Sequence, residues 1–105
     1  MKYYFVLHHD LREAKDNDAY GEWLRSKELR KIFDRLEKET SFKYVNTYFT
    51  AVGNMGFDYE FWFEIPSFDA LHKIGKSKAA KEFRAKIDPR IDRARAKTRF
   101  VMSIE

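Results

Sequence analysis

Alternation of apolar and polar side chains is strongest over residues 57–65, near the middle of the chain. Aromatic and aliphatic residues take every second position: Phe57, Tyr59, Phe61, Phe63 and Ile65 alternate with Asp58, Glu60, Trp62 and Glu64. A period of two places the first set on one face of a strand and the second set on the other. The pattern predicts a sheet whose apolar face is covered by helices and whose mixed face meets water or another protein.

The remaining pattern predicts three more strands and two helical regions. Aromatic and β-branched residues predict strands over 2–9, 42–52 and 98–104. Apolar residues spaced three, four and seven apart predict a helix over 20–36. The turn-forming residues 53–56 predict a hairpin between the second and third strands.

The second helical region is predicted to be broken. Its pieces begin after Ser67, Ser77 and Asp88, because serine and aspartate are favoured helix caps and Pro89 suits a first helical turn. The pieces are predicted over 68–74, 78–87 and 89–96.

The order strand, helix, strand, strand, helix, strand contains two strand–helix–strand halves, and each can form a right-handed crossover. Interleaving the halves gives one antiparallel sheet with helices on one face, which is the ferredoxin-like α+β arrangement. With 105 residues, the chain is predicted to form a single domain over 1–105.

Composition narrows the class of protein. Ten Phe, six Tyr and two Trp supply a rigid aromatic interior. The chain has no cysteine, which excludes a disulfide scaffold, a thiolate metal site and a cysteine nucleophile. No apolar run approaches the length of a membrane span, so a protein of the cytoplasm without membrane contact is expected.

The whole element order resembles the dimeric α/β-barrel superfamily, which includes antibiotic-biosynthesis monooxygenase-like and stress-responsive barrel proteins. The resemblance is most specific over residues 63–71, where a strand ends, a serine caps a helix, and a broken helix follows up to Ser77. It implies a homodimer in which two sheets pair through their open faces. A tryptophan left bare on such a face would form an exposed apolar patch. The predicted interface residues are Glu60, Trp62 and Glu64.

The resemblance also implies a cavity between sheet and helices, and several elements could supply its chemistry. His9 shares a strand face with Leu7, and His72 lies in the broken helix. The cavity-facing row of the second strand is predicted to be Phe42, Tyr44, Asn46, Tyr48 and Thr50.

A histidine near a phenol can move a proton close to neutral pH. The candidate catalytic residues are therefore His9, His72 and Tyr48, and the candidate substrate contacts are Asn46, Tyr44, Trp23 and Phe83. In the alternative interpretation, Tyr44 and Tyr48 are large core residues with hydrated hydroxyl groups. The function expected is to bind or transform a small, largely apolar molecule, in a monooxygenase-, isomerase- or cyclase-like manner.

No cofactor or metal is predicted. Haem-degrading members of the superfamily carry a tryptophan and a histidine ten residues apart, where this chain has Ile74 and Arg84, so the haem ligand is missing. His8 and His9 are adjacent in a strand and point to opposite faces, which is poor spacing for metal ligands.

The alternative function is a non-enzymatic module that binds an anionic partner such as nucleic acid. Residues 73–99 carry eleven Lys and Arg against three acidic residues, and such asymmetry is typical of anion-binding faces. A helix after Pro89 would align Arg90, Arg93 and Lys97 in one stripe. Residues 56–59 resemble the aromatic strand of the RNA-recognition motif, in which exposed aromatic side chains stack on bases. Exposing those aromatics would bury the neighbouring glutamates, so nucleic-acid binding is not expected.

Overall fold

The structure is a computed structural model and describes residues 1–53 and 57–104. Most of the predicted hairpin turn, residues 54–56, lies outside the described residues. Single 3₁₀ turns at Ala14–Asp16 and Phe68–Ala70 precede α1 and α3. The strands and helices are β1 (Tyr3–His9), α1 (Asn17–Leu24), α2 (Lys27–Thr40), β2 (Lys43–Phe49), β3 (Tyr59–Ile65), α3 (Leu71–Ile74), α4 (Lys78–Ile87) and β4 (Lys97–Met102).

The four strands form one antiparallel sheet in the order β2-β3-β1-β4. In the centre of the sheet, Phe5 of β1 is opposite Phe63 of β3 and Phe100 of β4. These side chains share the face that packs against the helices, whereas Arg99 belongs to the open face. The predicted ferredoxin-like fold is therefore confirmed.

The predicted faces of β3 are also confirmed. Tyr59, Phe61, Phe63 and Ile65 are buried, and the intervening residues of β3 are partly exposed. Burial of four large side chains from one strand supplies much of the hydrophobic driving force for folding, at about 1.5–3 kcal/mol for each fully buried side chain. The strand pattern thus orients the whole sheet.

The helix predicted over 20–36 is two helices. The chain turns at Arg25, and the Ser26 hydroxyl then accepts a hydrogen bond from the Leu29 backbone N–H, which starts α2. This cap satisfies one of the backbone donors that a helix start leaves free. At the other end of α2, Ser41 has a left-handed backbone with φ of 68°.

The break in the second helical region is confirmed between α3 and α4. Ser77 caps α4 by accepting a hydrogen bond from the Ala80 backbone N–H. Glu39 of α2 strengthens this start, because its carboxylate accepts hydrogen bonds from the Ala79 N–H at 3.1 Å and the Ser77 hydroxyl at 2.8 Å. Ser67, which is also predicted as a cap, makes no capping hydrogen bond with its side chain.

The prediction of a third helical piece over residues 89–96 is wrong, because α4 ends at Ile87 and no helix follows it in the described residues. Ile91 instead forms an isolated antiparallel bridge with Leu11. Backbone bonds from Arg12 N to Arg90 O at 2.9 Å and from Asp92 N to Asp10 O at 3.0 Å hold the two segments together. These bonds to the residues after β1 replace the hydrogen bonds of a helix. Residues 88–96 thus form a strap across one end of the sheet.

No helix within the described ranges is long and apolar enough to cross a membrane.

Candidate functional site

A cavity of about 300 Å³ lies between the sheet and α4. Its floor comes from β1, β3 and β4, its roof from α3 and α4, and one side from the strap of residues 88–96. Leu36 of α2 and Phe42, both buried, also line the cavity. The remaining lining residues are Phe5, Leu7, Phe63, Ile74, Ala80, Phe83, Arg84, Ile87, Asp88, Ile91, Arg93, Ala96 and Thr98.

One face of helix α4 lines this cavity. Ala80, Phe83, Arg84 and Ile87 are spaced three, four and seven apart, which is the spacing of a single helical face. The Ser77 cap and its bonds to Glu39 hold the first turn of α4 against α2. Backbone and hydroxyl donors on that carboxylate lower the pKa of Glu39, so the anchor is charged at neutral pH. The small Ala80 side chain leaves room that a larger residue would fill.

Charged groups of the lining collect where the cavity meets solvent. Arg93 Nε lies 3.6 Å from Asp88 Oδ2, and the Arg93 side chain is 65% exposed. Arg84 is exposed and makes no ion pair with any residue that the structure describes. Thr98 of β4 is exposed in the same lining. The site therefore has an apolar interior and a polar mouth.

His9, a predicted catalytic residue, is completely buried in the core and does not line the cavity. Its ring stacks on Phe61 at 5.1 Å and on Tyr59 at 5.6 Å, and its Nε2 lies 2.6 Å from the Tyr20 hydroxyl oxygen. Burial lowers the pKa of His9 to about 4, and burial raises the pKa of Tyr20 above its usual range. Both groups are neutral at pH 7, and together they join β1 to α1.

Asn46 and Tyr48 are not on the cavity-facing row, so their predicted placement is wrong. A bulge shifts the register of β2 between Tyr44 and Asn46. The extra residue reverses the phase of alternation along the rest of the strand. Asn46 is opposite Trp62, and the Tyr48 ring makes an edge contact with Trp62 at 6.2 Å, so both lie on the open face of the sheet.

Tyr44 and Trp23 lie on the helix side of the sheet but outside the cavity lining. Tyr44 stacks on Phe33 at 4.3 Å, as the core interpretation predicts. Trp23 is buried, and its indole stacks on Phe83 at 6.4 Å while the Arg90 guanidinium carbon lies 4.4 Å from its ring centre. Phe83 is the predicted substrate contact that does line the cavity.

His72 is exposed on α3, whereas His9 is fully buried in the core. The helix follows Ile65, which is opposite Tyr3, whereas His9 is at the other end of β1. Six residue steps of a strand separate the two ends, about 20 Å. The three candidate catalytic residues are therefore not brought together. Residues 1–53 and 57–104 also contain no group of three or more His, Asp or Glu that could hold a metal ion.

A second polar arrangement, absent from the sequence-based predictions, crosses the open face of the sheet. His8 Nδ1 lies 3.1 Å from Glu60 Oε2, and Arg99 Nε donates to His8 Nε2 at 2.6 Å. Trp62 Nε1 donates to the other Glu60 oxygen at 2.8 Å. Burial lowers the pKa of His8, Glu60 raises it and Arg99 lowers it. Alternation along β1 places His8 on the face of the sheet opposite to that of His9. This alternation is the sequence signal from which His8 could be assigned to the open face.

The basic stripe predicted on residues 90–97 does not form, because the strap is not helical. Arg93 pairs with Asp88, and the Arg90 guanidinium donates to the Lys86 carbonyl. Arg95 pairs with Asp10 at 2.7 Å. Binding of an anionic macromolecule by residues 73–99 stays a prediction.

Comparison with known proteins supports the fold. The chain matches no protein-family model and no curated protein sequence. Among solved structures, it is similar to a dimeric ferredoxin-like protein of unknown function from Bacteroides fragilis (TM-score 0.64, 6% identity, 97% of this chain and 96% of that chain). It is also similar to a DABB-family protein with a ferredoxin-like fold from Mesorhizobium loti (TM-score 0.58, 10% identity, 99% and 98%).

A NIPSNAP-family protein of unknown function from Agrobacterium tumefaciens is similar as well (TM-score 0.64, 14% identity, 95% of this chain and 86% of that chain). These likenesses span nearly the whole chain and confirm its ferredoxin-like architecture. The resemblance seen in the sequence is confirmed at the level of the fold, since the similar structures are ferredoxin-like and include DABB and NIPSNAP proteins.

Proposed function

We propose that this protein binds a small, largely apolar molecule in the cavity between the sheet and α4, without a cofactor. The observation that carries the proposal is the cavity itself: about 300 Å³, lined mainly by aromatic and aliphatic side chains, with a few polar groups at its mouth. Small-molecule sites in proteins have this composition and run from about 300 to 1,000 Å³. The ligand expected is therefore small.

The proposal is one of binding rather than of catalysis. His9 and His72, the histidines considered for proton transfer, lie outside the cavity lining. The ionisable lining groups are two arginines and one aspartate, and the aspartate is already paired with Arg93. This set supports recognition of a ligand and its orientation at the mouth.

A cavity-filling variant tests the proposal. Thermal unfolding of the wild type is measured with octanol, octanoate and acetophenone, because a ligand that binds only the folded state raises Tm. Ala80→Phe fills the cavity and should abolish the shift, whereas Ala85→Phe, on an exposed position of the same helix, should keep it. Ala80→Leu fills less space and should reduce the shift in part. No shift in the wild type, or an equal shift in Ala80→Phe and Ala85→Phe, would overturn the proposal.

We further propose that the protein works as a homodimer whose subunits pair through the open face of the sheet. Trp62 is the centre of an aromatic cluster on that face, in edge contact with Tyr4 at 5.5 Å and with Tyr48 at 6.2 Å. Val6 lies beneath this cluster and is fully buried within one chain. Aromatic clusters with a polar rim are typical of protein–protein interfaces. The similar structure from Bacteroides fragilis is that of a dimeric protein, which supports the proposal.

A further inference from the structure

The mouth of the cavity carries more positive than negative charge. Arg84 and Arg93 both line it, and Asp88 is the acidic residue of the lining. Asp88 faces Arg93 at 3.6 Å, which leaves Arg84 without a carboxylate among the described residues. Glu82, the acidic side chain of α4, is paired with Arg35 of α2.

Behind this mouth, the lining of the cavity is apolar. Phe83 and Ile87 lie on the same face of α4 as Arg84, and Phe5, Leu7 and Phe63 form the floor. A ligand that filled this space would have its far end next to the two guanidinium groups. A guanidinium binds a carboxylate through two parallel N–H···O bonds, and such charge-assisted bonds are about twice as strong as neutral ones.

We infer that the ligand of this cavity is an amphipathic acid: a short aliphatic or aromatic body in the interior and a carboxylate at the mouth, bound by Arg84 and Arg93. This inference rests on the proposed function and names the chemical class of its ligand. Arg84 supplies a positive charge that no ion pair with a described residue neutralises. Arg93 pairs with Asp88 at the exposed surface, and it can leave Asp88 to bind the carboxylate of the ligand. A cationic ligand of the same shape would meet two positive charges and be repelled.

The test compares octanoate, octanol and octylamine, which share one carbon chain and differ in the head group. Binding is measured by calorimetry at low ionic strength. Octanoate should bind at least about tenfold more tightly than octanol, because charge-assisted hydrogen bonds to a guanidinium are about twice as strong as neutral ones. Octylamine should bind most weakly.

Two charge-neutralising variants locate the head group. In Arg84→Gln, the affinity for octanoate should fall towards the affinity for octanol, and in Arg93→Gln it should fall to a smaller extent. The affinity for octanol should not change in either variant. Lys81→Gln removes the same charge from an exposed position of α4 outside the lining and should leave the preference for octanoate intact.

The outcomes separate this inference from the proposed function. Equal affinities for octanoate and octanol would overturn the acid ligand and leave cavity binding standing. A preference for octanoate that survives in both arginine variants would also overturn it. If none of the three compounds bound, the proposed function would fall together with the inference.

Discussion

Inside the core, the His9 imidazole Nε2 and the Tyr20 hydroxyl oxygen are 2.6 Å apart, and the two rings meet nearly edge to face. The pair links the last residue of β1 to the middle of α1. Burial lowers the pKa of His9 and raises that of Tyr20, so both groups are neutral. Because His9 Nδ1 faces the Leu7 carbonyl oxygen at 3.4 Å and carries the proton there, Nε2 accepts the hydrogen bond from the phenol. The pair satisfies two buried polar groups that would otherwise destabilise the fold.

This pair predicts a dependence of stability on pH. In the unfolded chain His9 has a pKa near 6.5, but in the folded protein the pKa is lowered to about 4. Between these values the unfolded state binds the additional proton, so the free energy of unfolding falls as the pH falls. The loss approaches about 1.4 kcal/mol per pH unit and totals about 3 kcal/mol. Denaturant unfolding between pH 7 and 5 measures the slope and about 2 kcal/mol of this loss.

His9→Gln removes the titrating group and should flatten this part of the pH profile. The exposed His72 supplies the matched control, because His72→Gln should keep the wild-type slope. If His9→Gln were too unstable to measure, an NMR titration of the wild type would report the His9 pKa directly. A pKa near 6.5 in the folded protein, or equal slopes in both variants, would contradict the account.

The aromatic cluster on the open face predicts the effect of a charge at Trp62. Trp62→Arg should convert the dimer to a monomer, because two arginines would face each other across an apolar contact. Light scattering measures the mass, and the wild type should have twice the mass of one chain. Val52→Arg places the same charge on a side chain that is 93% exposed outside the sheet, and it should stay dimeric. A wild type that is monomeric at high micromolar concentration would refute the dimer.

The two serines that precede helical segments should respond differently to alanine. Ser77→Ala removes the cap of α4 and the bond to Glu39, so the free energy of unfolding should fall by about 1–2 kcal/mol. Ser67 makes no capping hydrogen bond, so Ser67→Ala should change it by less than about 0.5 kcal/mol. Chemical denaturation compares the two variants. Equal losses would show that the cap does not distinguish these sites.

The sheet could be predicted from the sequence because its signal is local. Alternation over residues 57–65 determines which face of β3 is buried, and the same rule correctly separates Phe100 from Arg99 on β4. The start of α4 is predicted as well, because serine is a favoured cap, and the Ser77 hydroxyl does accept a hydrogen bond from the Ala80 backbone N–H. Ser26 makes the same kind of cap in a similar local sequence, but the apolar spacing over residues 20–36 predicts one uninterrupted helix there.

The candidate site was harder to predict because it depends on contacts between distant segments. A single bulged residue near Val45 moves Asn46 and Tyr48 to the opposite face, and nothing in the strand pattern marks it. The strap of residues 88–96 is set by backbone bonds to residues 10–12, which compete successfully with a helix after Pro89. Because the local pattern predicts a helix over residues 89–96, it does not indicate that Arg93 lines the cavity.

The measurement that tests the central claim most directly is a titration with octanoate followed by NMR of isoleucine methyl groups. Ile74, Ile87 and Ile91 line the cavity, whereas the buried Ile32 and Ile65 lie outside its lining. The account predicts that the first three methyl signals shift together and saturate, while the signals of Ile32 and Ile65 stay in place. Shifts confined to Ile32 and Ile65, or no shift up to the solubility limit of octanoate, would contradict it.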